Sequence, residues 1–268
     1  MPQVTGIHVY PIKSCRGVRL PFADVTERGL AHDRRYMLID AKGRFLTQRE
    51  QPRLARVDVE LGADGFVVAA PGRPPLELPF EMPVRRECRV RIWRDTVDAA
   101  LAGDAVNAWF SEYLGRPCGL VYMAAEHHRA LSREEARFDD EVSFADGAPL
   151  LLISEASLED LNSRLPRPVG MHRFRPNVVV TAERAFDEDG WRRIGIGEAE
   201  LEVAWPCPRC IMTTIDRETG VKAEDGEPLK TLKRYRLAGR GAMFGQNLIP
   251  RRLGEIRVAD EVRLIERA

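Results

Sequence analysis

Four short stretches of the chain carry polar residues at the edges of apolar runs, where a plain core would not place them. They are Tyr10-Pro11-Ile12-Lys13-Ser14-Cys15, His32-Asp33-Arg34-Arg35-Tyr36, His172-Arg173-Phe174-Arg175-Pro176-Asn177 and Trp205-Pro206-Cys207-Pro208-Arg209-Cys210. Such boundaries fall on loops held by a rigid scaffold, where binding and catalysis concentrate. Cys207 and Cys210 form a C-x-x-C. A structural zinc site needs two further soft ligands, but Cys15, Cys88 and Cys118 stand alone and no second C-x-x-C or paired-histidine spacing follows. A redox pair needs its first cysteine at a helix start within a βαβ frame. Here Ile211, Thr213, Thr214 and Ile215 read instead as a strand. Two readings stay open: one reactive thiolate, its anionic form favoured by the adjacent Arg209, or two inert buried thiols.

Taken singly, Lys13, Arg34, Arg175 and Arg209 are ordinary surface charge. Taken together they suit a phosphorylated ligand, since arginine forks bind phosphate oxygens two at a time. Asn177 offers both a donor and an acceptor, as the edge of a heterocycle requires. A soft thiolate added to that set suggests a transition metal carried by a phosphorylated organic cofactor.

Strands must hold these residues. Apolar runs predict strands at 4–12, 36–39, 44–47, 57–61, 66–68 and 88–92, with Asp40-Ala41-Lys42-Gly43 as a hairpin turn and 71–83 as an irregular, Pro-rich connection. Val106, Trp109, Phe110, Tyr113 and Leu114 fall on one face of a helix over 104–114, with Asp104 as N-cap and Gly115 and Pro117 as the stop. Residues 126–140 are dense in charge and read as an exposed loop or a lid at a substrate entrance. A second helix starts at Ser154, with Leu158, Leu161 and Leu165 on one face. Further strands are expected at 177–181, 192–196, 200–205, 211–216, 256–258 and 262–265. Strands outnumber helices without regular alternation, which disfavours a doubly wound sheet. Gly195-Ile196-Gly197 lacks the third glycine of a dinucleotide fingerprint.

The 268 residues carry 41 Lys plus Arg against 41 Asp plus Glu, a net charge of zero that argues against a non-specific nucleic-acid binder. The longest strongly apolar run, 148–153, is far short of a bilayer span. No secretory leader is evident at the start, and five cysteines are too few for a disulfide scaffold, so a cytoplasmic, membrane-free location is expected.

The stretches "YPIKSCRG", "HDRRYMLID", "FLTQREQPRL", "FRPNVVV", "CPRCIMTTID" and "MFGQN" occur in an order, over nearly the whole chain, that resembles the MOSC-domain proteins. That family includes the amidoxime-reducing components and their bacterial relatives. The resemblance implies a mainly β chain with some α, divided into an N-terminal β-barrel part at 1–118 and a β-barrel MOSC domain at 119–268. It also implies a molybdenum cofactor, a molybdopterin with a phosphate tail, held between the two parts. Pyridoxal phosphate binding is the other cofactor link attached to the family at large.

Position by position, the resemblance makes Cys210 the molybdenum ligand and the catalytic centre. Lys13, Ser14, Arg34, Arg175 and Asn177 fall on positions that hold the pterin and its phosphate. Pro208 and Arg209 lie beside the metal, and Asn247 and Asp146 complete the cofactor contacts. Cys207 has no role in the match beyond structure. The implied reaction is oxygen-atom abstraction from N-hydroxylated compounds such as amidoximes and hydroxylamines. Its electrons come from a separate carrier, a flavoprotein with a haem or iron–sulfur protein, because no four-cysteine iron–sulfur motif follows in this sequence. Two alternatives accompany that reading. The protein is a carrier that hands over molybdenum cofactor, or a sulfur carrier with a persulfide on Cys210.

Overall fold

Along the strand Ala199–Arg209, Ala199, Leu201, Val203 and Trp205 point inward while Glu200 and Glu202 are only partly covered, the two-residue alternation of a half-buried strand. Gly241–Arg252 lies antiparallel beside it. These two long strands are the spine of a nine-stranded sheet in the computed structural model, which describes residues 1–268. Its order is Val262–Arg267, Trp191–Ile196, Ala199–Arg209, Gly241–Arg252, Leu150–Ser154, Val178–Val180, Val4–Val9 and Val18–Leu20, with Leu237–Ala238 attached to Gly241–Arg252. Pairing is antiparallel except between Leu150–Ser154 and Val178–Val180.

A four-stranded sheet joins Tyr36–Ile39, Gly119–Tyr122, Asp95–Leu101 and Glu87–Ile92, and two three-stranded sheets complete a mainly β fold. Strands are exchanged along the chain. Val4–Val9 bonds to Val178–Val180, Phe22–Thr26 bonds to Gly254–Arg257, and Gly119–Tyr122 bonds back to Tyr36–Ile39. The sheets therefore interleave segments from both sides of residue 118. One core gathers Tyr36, Phe66, Phe110 and Tyr113; another gathers Ile7, Leu152, Trp191 and Leu248 under the large sheet.

Helix α1, Asp104–Leu114, buries Trp109, Phe110, Tyr113 and Leu114 and ends at Gly115, whose φ of 68° suits glycine. Its N-cap is Gly103 rather than Asp104. Asp104 is the first helical residue, where a negative charge complements the dipole. Helix α2, Glu155–Ser163, is capped by the Ser154 hydroxyl, which accepts from the Ser157 amide. Helix α3, Leu229–Tyr235, was not expected, because only Leu229, Thr231 and Leu232 of its seven residues are buried and no long stripe marks it.

Other expectations need correction. Residues 211–214 form a 3₁₀ turn, not a strand. The Thr213 hydroxyl donates to the Cys210 carbonyl (3.0 Å) and the Thr214 hydroxyl to the Ile211 carbonyl (2.7 Å), local bonds that compete with a ladder. The objection to a redox pair survives, because Cys207 lies inside the strand Ala199–Arg209 rather than at a helix start. The opening strand stops at Val9. The turn at Asp40–Gly43 forms, but 44–47 carries only isolated bridges, Ile39 to Phe45 and Arg44 to Arg91. The Pro-rich 71–83 segment contains a strand, Leu76–Pro79, paired with Gly65–Ala69. Residues 126–140 hold no helix or strand and are tied down by the Asp140–Arg251 ion pair (2.5 Å). No helix is long and apolar enough to cross a membrane.

Candidate functional site

The backbone of Lys13 is fixed when its amide donates to the Tyr36 carbonyl (2.8 Å), and its side chain turns into the protein, 5% exposed. There Nζ donates to the Phe144 carbonyl (2.7 Å) and pairs with the Asp146 carboxylate. Asp146 also accepts from Arg49 Nη2 (3.0 Å) and from the Trp93 indole (3.3 Å). The same Arg49 nitrogen lies 3.3 Å from Cys210 Sγ. Lys13, in the turn that follows the first strand, and Cys210, just past the strand Ala199–Arg209, are thus joined through only two side chains. Burial pulls the Lys13 ammonium down to about 8, an effect that Asp146 partly offsets. Burial pushes Asp146 upward, yet Lys13 and Arg49 outweigh it and hold the carboxyl well below the usual range.

A second cationic group adjoins the first. Arg34 pairs with the Asp33 carboxylate and donates to Asn177 Oδ1 (3.1 Å). The guanidinium groups of Arg34 and Arg175 lie 4.6 and 4.2 Å from the Tyr10 ring centroid, in cation–π range. Arg175 donates to the Cys15 carbonyl (2.5 Å), not to a carboxylate. Burial, then the neighbouring Arg34 charge, lower its pKa to about 10. Burial raises the Tyr10 phenol to about 12, although Arg175 and Arg34 oppose it. Arg175 and Tyr10 also border a cavity of about 180 Å³ shared with Gln48, His172 and Met212.

Of the residues singled out from sequence, Lys13, Asp146 and Cys210 lie in one network and Arg34, Arg175 and Asn177 in the next. Ser14 is buried beside Lys13, and its carbonyl accepts from Gln48 Nε2 (2.6 Å). Asn177 differs from expectation: its Oδ1 accepts from Arg34 and from the Leu151 amide (3.3 Å), and its Nδ2 donates to the His8 carbonyl (3.1 Å). Its amide therefore positions Arg34 instead of facing a heterocycle. Arg209 also departs from expectation, its side chain donating to Cys207 Sγ (3.1 Å) and the Phe174 carbonyl (2.5 Å) rather than to the Cys210 sulfur. Pro208 is exposed on the strand opposite Met243. Asn247 sits in register with Trp205 and Leu151. Sequence reasoning missed Arg49 and Trp93, and held Asp33 and Tyr10 only as members of their stretches, without a role. Arg49 had a signal, since it stands in the quoted "FLTQREQPRL" stretch just past an apolar run.

The donor set can be tested against the cofactor expected from sequence. No group of three or more His, Cys, Asp or Glu side chains comes together to hold a metal ion unaided. A metal here needs a cofactor to bring most of its ligands, with one protein sulfur completing the set. Arg49 Nη1 and Arg209 Nε are buried without a hydrogen-bond partner, and Arg175 is a part-buried cation that forms no ion pair. An orphaned guanidinium donor on Arg49, beside the soft Cys210 sulfur, with further unpaired cationic donors nearby, suits an anionic, metal-bearing cofactor.

Residues 1–117 match the family described as "MOSC N-terminal beta barrel domain", and residues 139–263 match the "MOSC domain". The chain belongs to the MOSC family. Its relatives include "Mitochondrial amidoxime reducing component 2" of Rattus norvegicus, 35% identical over 97% of this chain and 82% of that one. "Mitochondrial amidoxime-reducing component 1" of Homo sapiens is 35% identical over 98% of this chain and 82% of its own length. "Molybdenum cofactor sulfurase" of Oryza sativa subsp. japonica is 34% identical over 90% of this chain but only 31% of its own. These relationships tie the MOSC chain to molybdenum-cofactor biology.

Proposed function

We propose that this MOSC protein is a molybdenum-cofactor-dependent reductase of N-hydroxylated compounds. The observation that carries the reading is Arg49, which touches Cys210 Sγ and Asp146 at once and so links the single soft sulfur to the buried Lys13. Cys210 is the thiolate ligand, and Arg49 fixes the sulfur's position by donating to it. Arg34, Arg175 and Lys13 neutralise the cofactor's phosphate, with Asn177 and Tyr10 setting the orientation of the two arginines. The two family regions, taken as 1–118 and 119–268, contribute Lys13, Arg34 and Arg49 from one side and Asp146, Arg175 and Cys210 from the other.

When bound, the molybdenum centre supplies oxygen-atom abstraction from an N–OH group. The net change adds two electrons and two protons, breaks the N–O bond, and releases the N–H product and water. The electrons come from a separate redox protein, a flavoprotein with a haem or iron–sulfur carrier. Trp93 and Arg49 frame the approach to Cys210 from the outside.

The sulfurase relative makes a persulfide on Cys210 the second reading. One preparation separates the two. Protein from a molybdenum-sufficient host is expected to hold about one molybdenum per chain and to reduce benzamidoxime once chemically reduced. Protein without molybdenum but with cyanide-labile sulfur on Cys210 would replace the reductase by a sulfur donor. Molybdenum that passes intact to an apo-enzyme, with no reduction by any reductant, would make it a carrier.

A further inference from the structure

A cavity of about 290 Å³ opens beside the Cys210 network, and its walls differ from those of the cationic cradle. One wall is aromatic. Phe45 and Trp93 lie with ring centroids 5.1 Å apart, and Trp93 is 47% exposed despite its size. The Arg49 guanidinium sits 4.8 Å from the Trp93 ring and donates onward to Cys210 Sγ, so one guanidinium separates this cavity from the sulfur. The rim is cationic. Arg44 and Arg91 are brought side by side by a parallel bridge. Like charges directly opposite one another destabilise a strand pair unless something shares them. The one carboxylate in the lining, Glu50, lies 3.6 Å from Arg44, in a half-exposed pair worth little, and Arg91 forms no ion pair.

We propose that this cavity is the substrate subsite and that it selects planar N-hydroxylated compounds bearing an oxyanion, the plane resting on Trp93 with the tilted Phe45 ring at its edge, and the oxyanion held by Arg44 and Arg91. The inference rests on the reductase reading for the reaction and adds the substrate's charge and shape. A flat π-face stacks on the exposed indole, and Arg49, which adjoins that ring, leads on to the sulfur. Carboxylate and phosphate share the chemistry that two arginine forks recognise. Arg44 and Arg91 are specificity residues at the rim. They touch neither Cys210 nor Asp146, so the cradle is intact without them.

The test uses the cofactor-loaded protein with three amidoximes of one shape: benzamidoxime, its 4-carboxy derivative and its 4-phosphonomethyl derivative. The two anions are expected to exceed the neutral compound in kcat/KM by about tenfold, chiefly through KM, as two rim ion pairs would give. The advantage should shrink in 0.5 M salt and vanish in Arg44→Gln/Arg91→Gln. A carboxylate-only or phosphonate-only advantage identifies which oxyanion is the natural one. Binding is read independently by quenching of Trp93 fluorescence with 4-carboxybenzamidine, with Trp93→Phe as the control that removes the signal. Equal kcat/KM for all three compounds, or an anion preference that persists in the double variant, overturns the proposal while leaving the reductase standing. Arginine-dependent quenching without reduction of any amidoxime keeps the subsite and removes the reductase.

Discussion

Replacing Asp146 by Asn removes one negative charge while leaving an acceptor of nearly the same shape. In the native protein that carboxylate holds Lys13, whose side chain is 5% exposed, and Arg49, whose side chain is 23% exposed. Removing one partner of a fully buried pair costs about 3–5 kcal/mol, because the other charge is left uncompensated. Asp146 itself is 45% exposed, so water screens part of the interaction and the expected loss is nearer to 1–2 kcal/mol. In a chain of this length that is a fall in Tm of roughly 2–8 °C. The pH dependence is the sharper reading. Lys13 titrates near 8 in the fold against an ordinary 10.5, so the unfolded chain holds the extra proton between those values and Lys13's contribution to stability rises with pH across that window. Without Asp146 the folded value drops further and the window opens at lower pH. The variant's deficit should therefore be largest at acidic to neutral pH, where folded Lys13 is charged, should narrow as pH rises toward 8, and should be smallest above it. Adding Lys13→Met to Asp146→Asn should restore part of the loss, since it removes the stranded charge. Denaturant melts at pH 6 and pH 9 measure both effects. An equal deficit at the two pH values, or a double variant no better than the single one, would refute this account of the pair.

Two further outcomes are expected. Cys210→Ser should abolish amidoxime reduction by chemically reduced protein, since a hydroxyl is a poor soft-metal ligand, while Cys207→Ser should do far less because Cys207 packs beside the Leu161 and Phe244 core; equal losses in turnover and molybdenum content would sink the single-ligand assignment. Arg175→Ala and Arg175→Gly should both weaken cofactor retention, but at a φ of 57° the glycine variant should be the more stable by about 1 kcal/mol in denaturant melts. Alanine equal to or better than glycine there would count against backbone strain at this position.

The parts of the fold legible in sequence were those with strong local signals. The α1 stripe from Val106 to Leu114 with Gly115 behind it, and the Ser154 cap of α2, follow from spacing and capping chemistry alone. Long-range pairing was not legible. Nothing in Val4–Val9 says that it bonds to Val178–Val180, because any apolar strand of that length offers the same ladder. The turn at 211–214 was misread for a definite reason: β-branched Thr favours strands on average, but its hydroxyl also closes a turn onto a carbonyl three residues back. Within the site, the motifs pointed to Lys13, Arg34, Arg175 and Cys210 and the fold draws them into adjoining networks. Arg49 and Trp93 escaped because their role depends on Asp146, which lies 97 and 53 residues away. Spacing cannot reveal partners so distant.

Seven non-glycine residues have left-handed backbone, and Ser14, Arg34, Trp93 and Arg175 all belong to the candidate site or its rim. An L-residue there is disfavoured by about 1–2 kcal/mol, so such residues persist only where surrounding contacts hold them. The same place leaves Arg175 a part-buried cation without an ion pair, sharing the Tyr10 ring with Arg34. Backbone strain and unpaired charge are independent unfavourable terms, and ordinary packing gives no reason for them to coincide. They coincide at the place proposed to hold the cofactor's anionic group. A bound anion relieves the charge and leaves the backbone as it is, so binding stabilises the fold through electrostatics while the strained backbone keeps the donors aimed. On that argument the rigidity of the cradle is a property of the chain before any ligand arrives, and the ligand supplies the counter-charge that the fold leaves out.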